Sequence, residues 1–293
     1  MDERAALALV GDLVTAAGDD AAYVDGSVLT IDMLHETTDF PDGTTRYTAG
    51  WRAVGASLSD LAAMGAEAVA TVAVYGAPDF DAAGLEAFVE GATAVSEAVG
   101  AEYVGGDLDE HAEFTVASAG FGRAERRIGR DGASPGDVVC VTGSLGRTAA
   151  AIRQFRAGDE AAGNELFQFQ PRVAAGRSLA PVATAMMDSS DGLARSLHQL
   201  GDASDVGFAV EREAIPVADS LESVAESATS AREEAITYGE DFELVCTLPP
   251  EALEKATAAL EVPFTEIGRA TAPERGIQVD GEPLADTGFT HGE

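Results

Sequence analysis

The sequence predicts a two-domain α/β (α+β) protein, with residues 1–134 as an N-terminal and 135–293 as a C-terminal unit. Three observations predict it. Strand-like and helix-like runs alternate in both halves. A turn-rich stretch, Arg130-Asp131-Gly132-Ala133-Ser134-Pro135-Gly136-Asp137, separates them. The chain has 293 residues, 46% of them hydrophobic, enough for two cores of ordinary size.

Each element follows from local pattern. Residues 3–17 carry Ala, Leu and Val at helical spacing. Residues 22–34 read as two strands around the turn dipeptide Asp25-Gly26. An apolar helix is expected over 47–65, followed by a β-branched strand Ala68–Tyr75. Pro78 and Asp79 lead into a helix over 81–99, and strands follow at 101–105 and 113–122. The second half opens with strand Val138–Thr142 and the turn Gly143-Ser144-Leu145-Gly146. Helices are expected at 147–157 and 172–184. A short strand, Ala185–Met187, enters the loop Asp188–Gly192, where Ser189 or Ser190 is expected to cap a helix reaching Leu200. Strands at 206–210, 243–248, 264–269 and 276–280 alternate with helices near 219–236 and 250–260.

Charge narrows the function classes. The chain has 18 Lys and Arg against 51 Asp and Glu, a net charge of −33, and its one lysine is Lys255. The acidic residues are spread along the whole chain instead of forming one tract for a basic partner. That distribution predicts adaptation to concentrated salt, where a Debye length of about 3 Å screens self-repulsion. The sign of the charge disfavours nucleic acid. No apolar run is long enough for a membrane span. Asp2 and Glu3 directly follow Met1, so no leader is expected and the predicted location is cytoplasmic. Cys140 and Cys246 lie far apart in apolar runs and read as buried thiols.

Acidic residues are so common here that only their surroundings carry information. Five aspartates stand in glycine-rich or apolar settings: Asp20, Asp32, Asp60, Asp107 and Asp191. Burying a carboxylate costs several kcal/mol unless it is paired or binds a cation. Oxygen ligands without nearby His or Cys favour Mg²⁺, which usually arrives with phosphate. A magnesium-dependent enzyme acting on phosphates is therefore expected. Four of the five also have a plainer reading: a helix C-terminal turn for Asp20, a polar stripe for Asp60, an exposed turn for Asp107, and a turn or an N-terminal helix residue for Asp191. Other motifs fail. A P-loop needs a lysine after its glycines, and Lys255 sits on an ordinary helix. Gly143–Thr148 reads as a strand-to-helix turn or a backbone phosphate cradle. Gly120-Phe121-Gly122-Arg123 lacks the third glycine of a dinucleotide fingerprint, and His35-Glu36-Thr37-Thr38-Asp39 lacks a second His. Ser190, Asp191 and His198 have no nucleophile elbow around the serine.

One set of segments runs in order along the chain: Gly18-Asp19-Asp20-Ala21-Ala22, Asp32-Met33-Leu34 with Glu36, Ser57–Ala66, Gly105-Gly106-Asp107, Gly129-Arg130, Gly132–Asp137, Asp188–Leu193, Tyr238–Leu244 and Gly288-Phe289. Taken together they resemble the thiamine-monophosphate kinase family of the aminoimidazole-ribonucleotide-synthetase-like superfamily. The resemblance spans nearly the whole chain. It implies transfer of the γ-phosphate of ATP to thiamine monophosphate, a homodimer, and N-terminal mixed sheets that together form a barrel. It implies several Mg²⁺ ions held by Asp20, Asp32, Asp60, Asp107, Asp188 and Asp191, with Thr30 and the backbone of Ile31. Gly106, Asp107, Arg130 and Ser190 would touch ATP, and Glu240 and Phe289 the thiamine part. No other catalytic group is implied. Where the family usually has a His-Phe pair near the substrate, this chain has Asp39-Phe40.

Two alternatives compete. One is another ATP-using member of the superfamily, such as aminoimidazole ribonucleotide synthetase; relatives that need a reactive N-terminal or a C-terminal Cys do not fit. The other is a non-catalytic nucleotide-binding module. Whichever holds, the charge makes one prediction. Dilution below about 0.5 M salt should lower the thermal midpoint, as carboxylate repulsion becomes unscreened. A midpoint unchanged from molar to millimolar salt would remove the salt-adaptation reading.

Overall fold

A computed structural model describes residues 9–11, 13–14 and 17–288. Residues 9–11 and 13 are helical, and the rest of the helix expected over 3–17 falls largely outside the described residues. Two sheets organise the chain. The first has the order β1-β2-β5-β3-β4, with β1 Ala22–Val24, β2 Ser27–His35, β3 Glu67–Ala77, β4 Glu102–Glu110 and β5 Thr115–Arg123. β3 and β4 are parallel and joined by the helix Ala82–Ala98; the other pairs are antiparallel. The second sheet has seven strands, β6 (Val138–Thr142), β7 (Ala185–Asp188), β8 (Gly207–Val210), β9 (Leu244–Leu248), β10 (Phe264–Thr271), β11 (Ile277–Val279) and β12 (Glu282–Pro283), in the order β12-β11-β8-β10-β6-β9-β7.

Helix Arg46–Ala63 lies where the two halves meet. It begins at Thr45, whose hydroxyl accepts from Thr48 N at 3.1 Å, and ends before Gly65, in the left-handed region at φ 64°. It is buried on nearly every side. Its Val54, Leu58 and Leu61 join one apolar core with Phe88 and Val116 of the first half and Leu179, Met186 and Cys246 of the second. Small residues make this possible. A Cβ on Gly50 would sit 2.1 Å from the Phe88 carbonyl oxygen, and one on Gly91 2.0 Å from that of Tyr47. The two helices thus touch backbone to backbone.

The first sheet has two different faces. In β2, Val28 is buried while Leu29, Ile31 and Met33 are exposed, Ile31 by 75%. Val72 and Val74 of β3 and Val104 and Leu108 of β4 are also exposed.

Several boundaries differ from the sequence expectation. The helix expected over 172–184 is Val173–Leu179, because Pro181 cannot continue it. Glu160–Phe167 forms a helix that periodicity did not reveal, capped by Asp159, which accepts from Ala162 N at 3.1 Å. The helix expected over 219–236 is two, Asp219–Val224 and Ala228–Thr237, the second capped by Ser227. Neither Ser189 nor Ser190 caps helix Leu193–Ser204. Its N-cap is Gly192, at φ 98° and without a side-chain cap. Cys140 and Cys246, far apart in sequence, face each other across β6 and β9 (Leu244–Leu248) as free buried thiols.

The glycine contact is testable. Gly91→Ala should lower stability by about 1–3 kcal/mol, as overpacking does, read from the denaturant midpoint at constant molar salt. An unchanged midpoint would show that the helices have room to separate.

Candidate active site

Three segments converge at one end of helix Arg46–Ala63: the turn Gly18–Asp20, strand β2, and the loop after β7 (Ala185–Asp188). Among the described residues, Asp20, Asp60 and Asp188 are the group with ligand geometry, their carboxylate oxygens all within 4.8 Å of one another. Asp32 lies close enough to add its charge to that of Asp60. Hydroxyls hold the carboxylates in place. Thr30 Oγ1 donates to Asp60, and Ser57 Oγ to Asp32 at 2.8 Å. Ser59 Oγ donates to Asp188 at 2.6 Å, and Ser190 N to the other Asp188 oxygen at 3.3 Å. Arg130 is the cation of the cluster, with Nη2 2.9 Å and Nε 3.3 Å from the Asp20 oxygens. Burial works against its charge, but the Asp20 carboxylate more than offsets this and keeps it protonated.

This cluster is short of positive charge. Burial pushes Asp188 up to about 7, with Asp20 adding to the shift. Burial likewise pushes Asp32 up to about 6 against the hydrogen bond from Ser57. Asp60 is raised by burial first and then by Asp32, Asp188 and Asp20. Carboxylates pushed towards their neutral form by one another, with oxygen-only donors around them, fit a hard divalent cation.

The other expected residues are distributed as follows. Asp191 follows Ser190 in the same loop, and its carbonyl is packed by Gly288, where a Cβ would sit 2.2 Å away. The Ile31 side chain faces outward, consistent with a role for its backbone only. Gly106 lies in the sheet row of Asp32, through Ala73 and Ser118, three strand spacings away, on the order of 14 Å. Asp107 is in the next row, with the exposed Val74 and Met33. Within one chain Asp107 is therefore not brought to the cluster. Phe289 lies outside the described residues.

A cleft of about 810 Å³ is lined by Asp39, Thr148, Phe155, Arg156, Tyr238 and Glu240 among others, and Glu240 N ties it to the aspartate loop by donating to the Ser190 carbonyl. Asp39 and Glu240, expected to contact substrate, thus share one cavity. Each also has a structural task. Asp39 Oδ2 accepts from His35 N at 2.7 Å and Thr38 Oγ1 at 2.8 Å, closing the turn after β2. Glu240 is paired to Arg52 at 2.7 Å. The phosphate-cradle reading of Gly143–Thr148 is overturned: an internal carboxylate, Asp241, already takes the N–H groups of Gly146 and Thr148, at 2.5 and 2.9 Å.

Sequence reasoning missed Ser57 and Ser59 as carboxylate partners, and Arg52, Thr148, Arg156 and Tyr238 around the cleft. The one available signal was Arg52, an arginine flanked by apolar residues in the interior of a helix. The other residues are ordinary in their local setting.

Comparisons with known proteins give the family and the fold. Residues 18–124 match the family description "AIR synthase related protein, N-terminal domain", and residues 134–280 its C-terminal domain. The chain is 62% identical over 291 residues to a thiamine-monophosphate kinase of Halobacterium salinarum, covering 99% of this chain and all of that one. It is 37% identical to that of Methanospirillum hungatei, over 99% of both. Its structure is similar to AaThiL, solved with AMPPCP and TMP, with a TM-score of 0.90 at 27% identity, covering 99% of this chain and 97% of that one.

The raised carboxyls set a pH dependence. Their folded-state values lie above the unfolded value of 3.8, so their contribution is full below that value and is lost as pH rises through about 6 and about 7. Chelator-treated protein should therefore melt lower at about pH 7.5 than at about pH 5 at fixed salt, and Asp60→Asn should flatten the slope. A metal-free midpoint that rises across this window would contradict the arrangement.

Proposed function

Because the chain belongs to the thiamine-monophosphate kinase family of AIR synthase related proteins, we infer that it transfers the γ-phosphate of ATP to thiamine monophosphate, giving thiamine diphosphate and ADP. The observation that carries this reading is the convergence of Asp20, Asp32, Asp60 and Asp188, tied through the Ser190–Glu240 hydrogen bond to a cleft, in a chain 62% identical to a protein of that name.

The reaction needs positioning and charge neutralisation more than covalent chemistry. An oxygen of the acceptor phosphate attacks the γ-phosphorus, and the bond to the β,γ-bridging oxygen breaks, leaving ADP. A phosphate monoester is largely dianionic at neutral pH, so no side chain has to remove a proton. Asp20, Asp32, Asp60, Asp188 and Asp191, with Thr30 and the backbone of Ile31, would hold magnesium, which when bound supplies the positive charge that brings two polyanions together. Arg130 offers a planar fork to phosphate, and Ser190, in the Asp188 loop, stands beside it. The acidic cleft, with Asp39 and Glu240, suits the cationic thiamine moiety, and Phe289 is assigned to its ring.

Two features support a homodimer. The first sheet exposes an apolar face through Leu29, Ile31, Met33, Val72, Val74 and Val104, in a chain of charge −33. Asp107 and Gly106 lie three strands away from the cluster they are expected to serve. A second copy covering this face, the sheets closing into a barrel, would bring its Asp107 to the first copy's aspartates. We assign residues 1–134 to metal binding, ATP binding and dimerisation, and the protein to a salt-adapted cytoplasm.

In high salt with ATP and Mg²⁺, thiamine diphosphate and ADP should form one to one; ATP use indifferent to thiamine monophosphate would sink the assignment. Asp60→Asn and Asp107→Asn should each cut turnover by at least about 100-fold. Denatured and refolded together, the two variants should recover about a quarter of wild-type turnover, because half of the dimers then hold one intact site of two. No recovery, in a mixture shown to form mixed dimers, would place Asp107 in the site of its own chain.

A further inference from the structure

The active-site helix carries one buried arginine that the reaction does not use. Arg52 is 2% exposed. Its guanidinium carbon lies 3.6 Å over the Phe167 ring and within 5.5 Å of Phe169 and Phe242. Nη1 donates to the Phe167 carbonyl at 2.9 Å. Nη2 donates to the Glu240 carbonyl at 3.1 Å and to its carboxylate Oε2 at 2.7 Å. A buried arginine with these three hydrogen bonds aimed across the domain junction costs desolvation, and a hydrophobic residue would fill the space more cheaply.

What it holds is a strained segment. Glu240 and Phe242 both adopt left-handed backbone, φ 59° and 55°, which non-glycine residues keep only when surroundings over-determine it. Those surroundings are visible. Thr148 Oγ1 donates to the Glu240 carbonyl at 2.7 Å, and Phe242 stacks on Phe169 with centroids 4.1 Å apart. Glu240 N donates to the Ser190 carbonyl at 2.5 Å, inside the aspartate loop. That loop is tied to the same helix by Ser59, which donates to Asp188. Arg52 and Ser59 are seven residues apart, about two turns, so they share a helix face.

We propose that Arg52 is a positioning residue for the substrate end of the reaction: through Glu240 it fixes the cleft at a set distance from the aspartates, the helix between Arg52 and Ser59 acting as the spacer. The proposal rests on the kinase reading above. Arg52 does not line the cleft. It acts through the carboxylate and backbone of Glu240, so its loss should be felt where thiamine monophosphate binds and not where ATP binds.

The test compares Arg52→Lys, Arg52→Met, Glu240→Gln and the double variant Arg52→Lys/Glu240→Gln in molar salt, with folding checked by circular dichroism. Wild-type turnover of thiamine monophosphate is the control for the kinase reading itself; without it that reading fails first. Arg52→Lys keeps the charge but loses the fork. It should raise KM for thiamine monophosphate at least about tenfold and leave KM for ATP within about twofold. In the double variant the two effects should not multiply, because both act on one contact. Arg52→Met should show the same split; if it does not fold, the lysine and glutamine variants decide the matter alone. Parallel rises in both KM values, or losses that multiply in the double variant, would overturn the proposal and leave Arg52 as a packing residue.

Discussion

Carboxylates repel one another, and this chain gathers four of them, Asp20, Asp32, Asp60 and Asp188, into one partly buried place. Much of the surrounding structure can be read as a response. The one arginine of the cluster, Arg130, is spent on Asp20. The remaining oxygens are held by small hydroxyls from Thr30, Ser57 and Ser59, which orient a carboxylate without neutralising it. Two of those hydroxyls and Asp60 itself come from a single helix. That helix must therefore run through the centre of the molecule, and it can do so only because Ala, Gly and Ser dominate its surface. The arrangement leaves a deficit of positive charge that the folded chain does not make up.

The order of elements was legible because most of them are amphipathic or bounded by Gly and Pro; helix 147–157 and the hairpin around Asp25-Gly26 are found where pattern places them. Failures came where local and distant demands compete. The helix expected over 172–184 was cut short by Pro181, a signal present in the sequence and outweighed by periodicity. Ser190 looked like a cap, but its backbone is recruited to Asp188 and Glu240. Three of the four clustered aspartates, Asp20, Asp32 and Asp60, were marked by context, as acidic residues next to Gly or inside apolar runs; Asp188 came only with the family resemblance, and Asp107, marked in the same way, lies three strands away. The cluster's hydroxyl partners were not legible, since a serine in a helix carries no mark of what it faces. Nor was the Asp241 cap on Gly146 and Thr148, a contact across 93 or more residues.

The two charge systems of this protein obey different physics. The −33 of the whole molecule is spread over a wet surface, where salt screens it. The cluster is partly withdrawn from water and is screened much less, so its repulsion persists at any ionic strength. The apolar outer face of the first sheet is the reverse case. Concentrated salt strengthens association of such surfaces, while the surrounding carboxylates oppose it most when salt is low.

The central helix also limits how this gene can vary in length. One residue inserted or deleted between Arg52 and Asp60 would turn everything beyond it by about 100°. Ser57, Ser59 and Asp60 would then lose their partners on strands β2, β5 and β7 while Arg52 kept its own. Codon insertions and deletions should be purged from this stretch. They should be tolerated in segments that no ligand depends on, such as the exposed bend at 225–227 between two short helices.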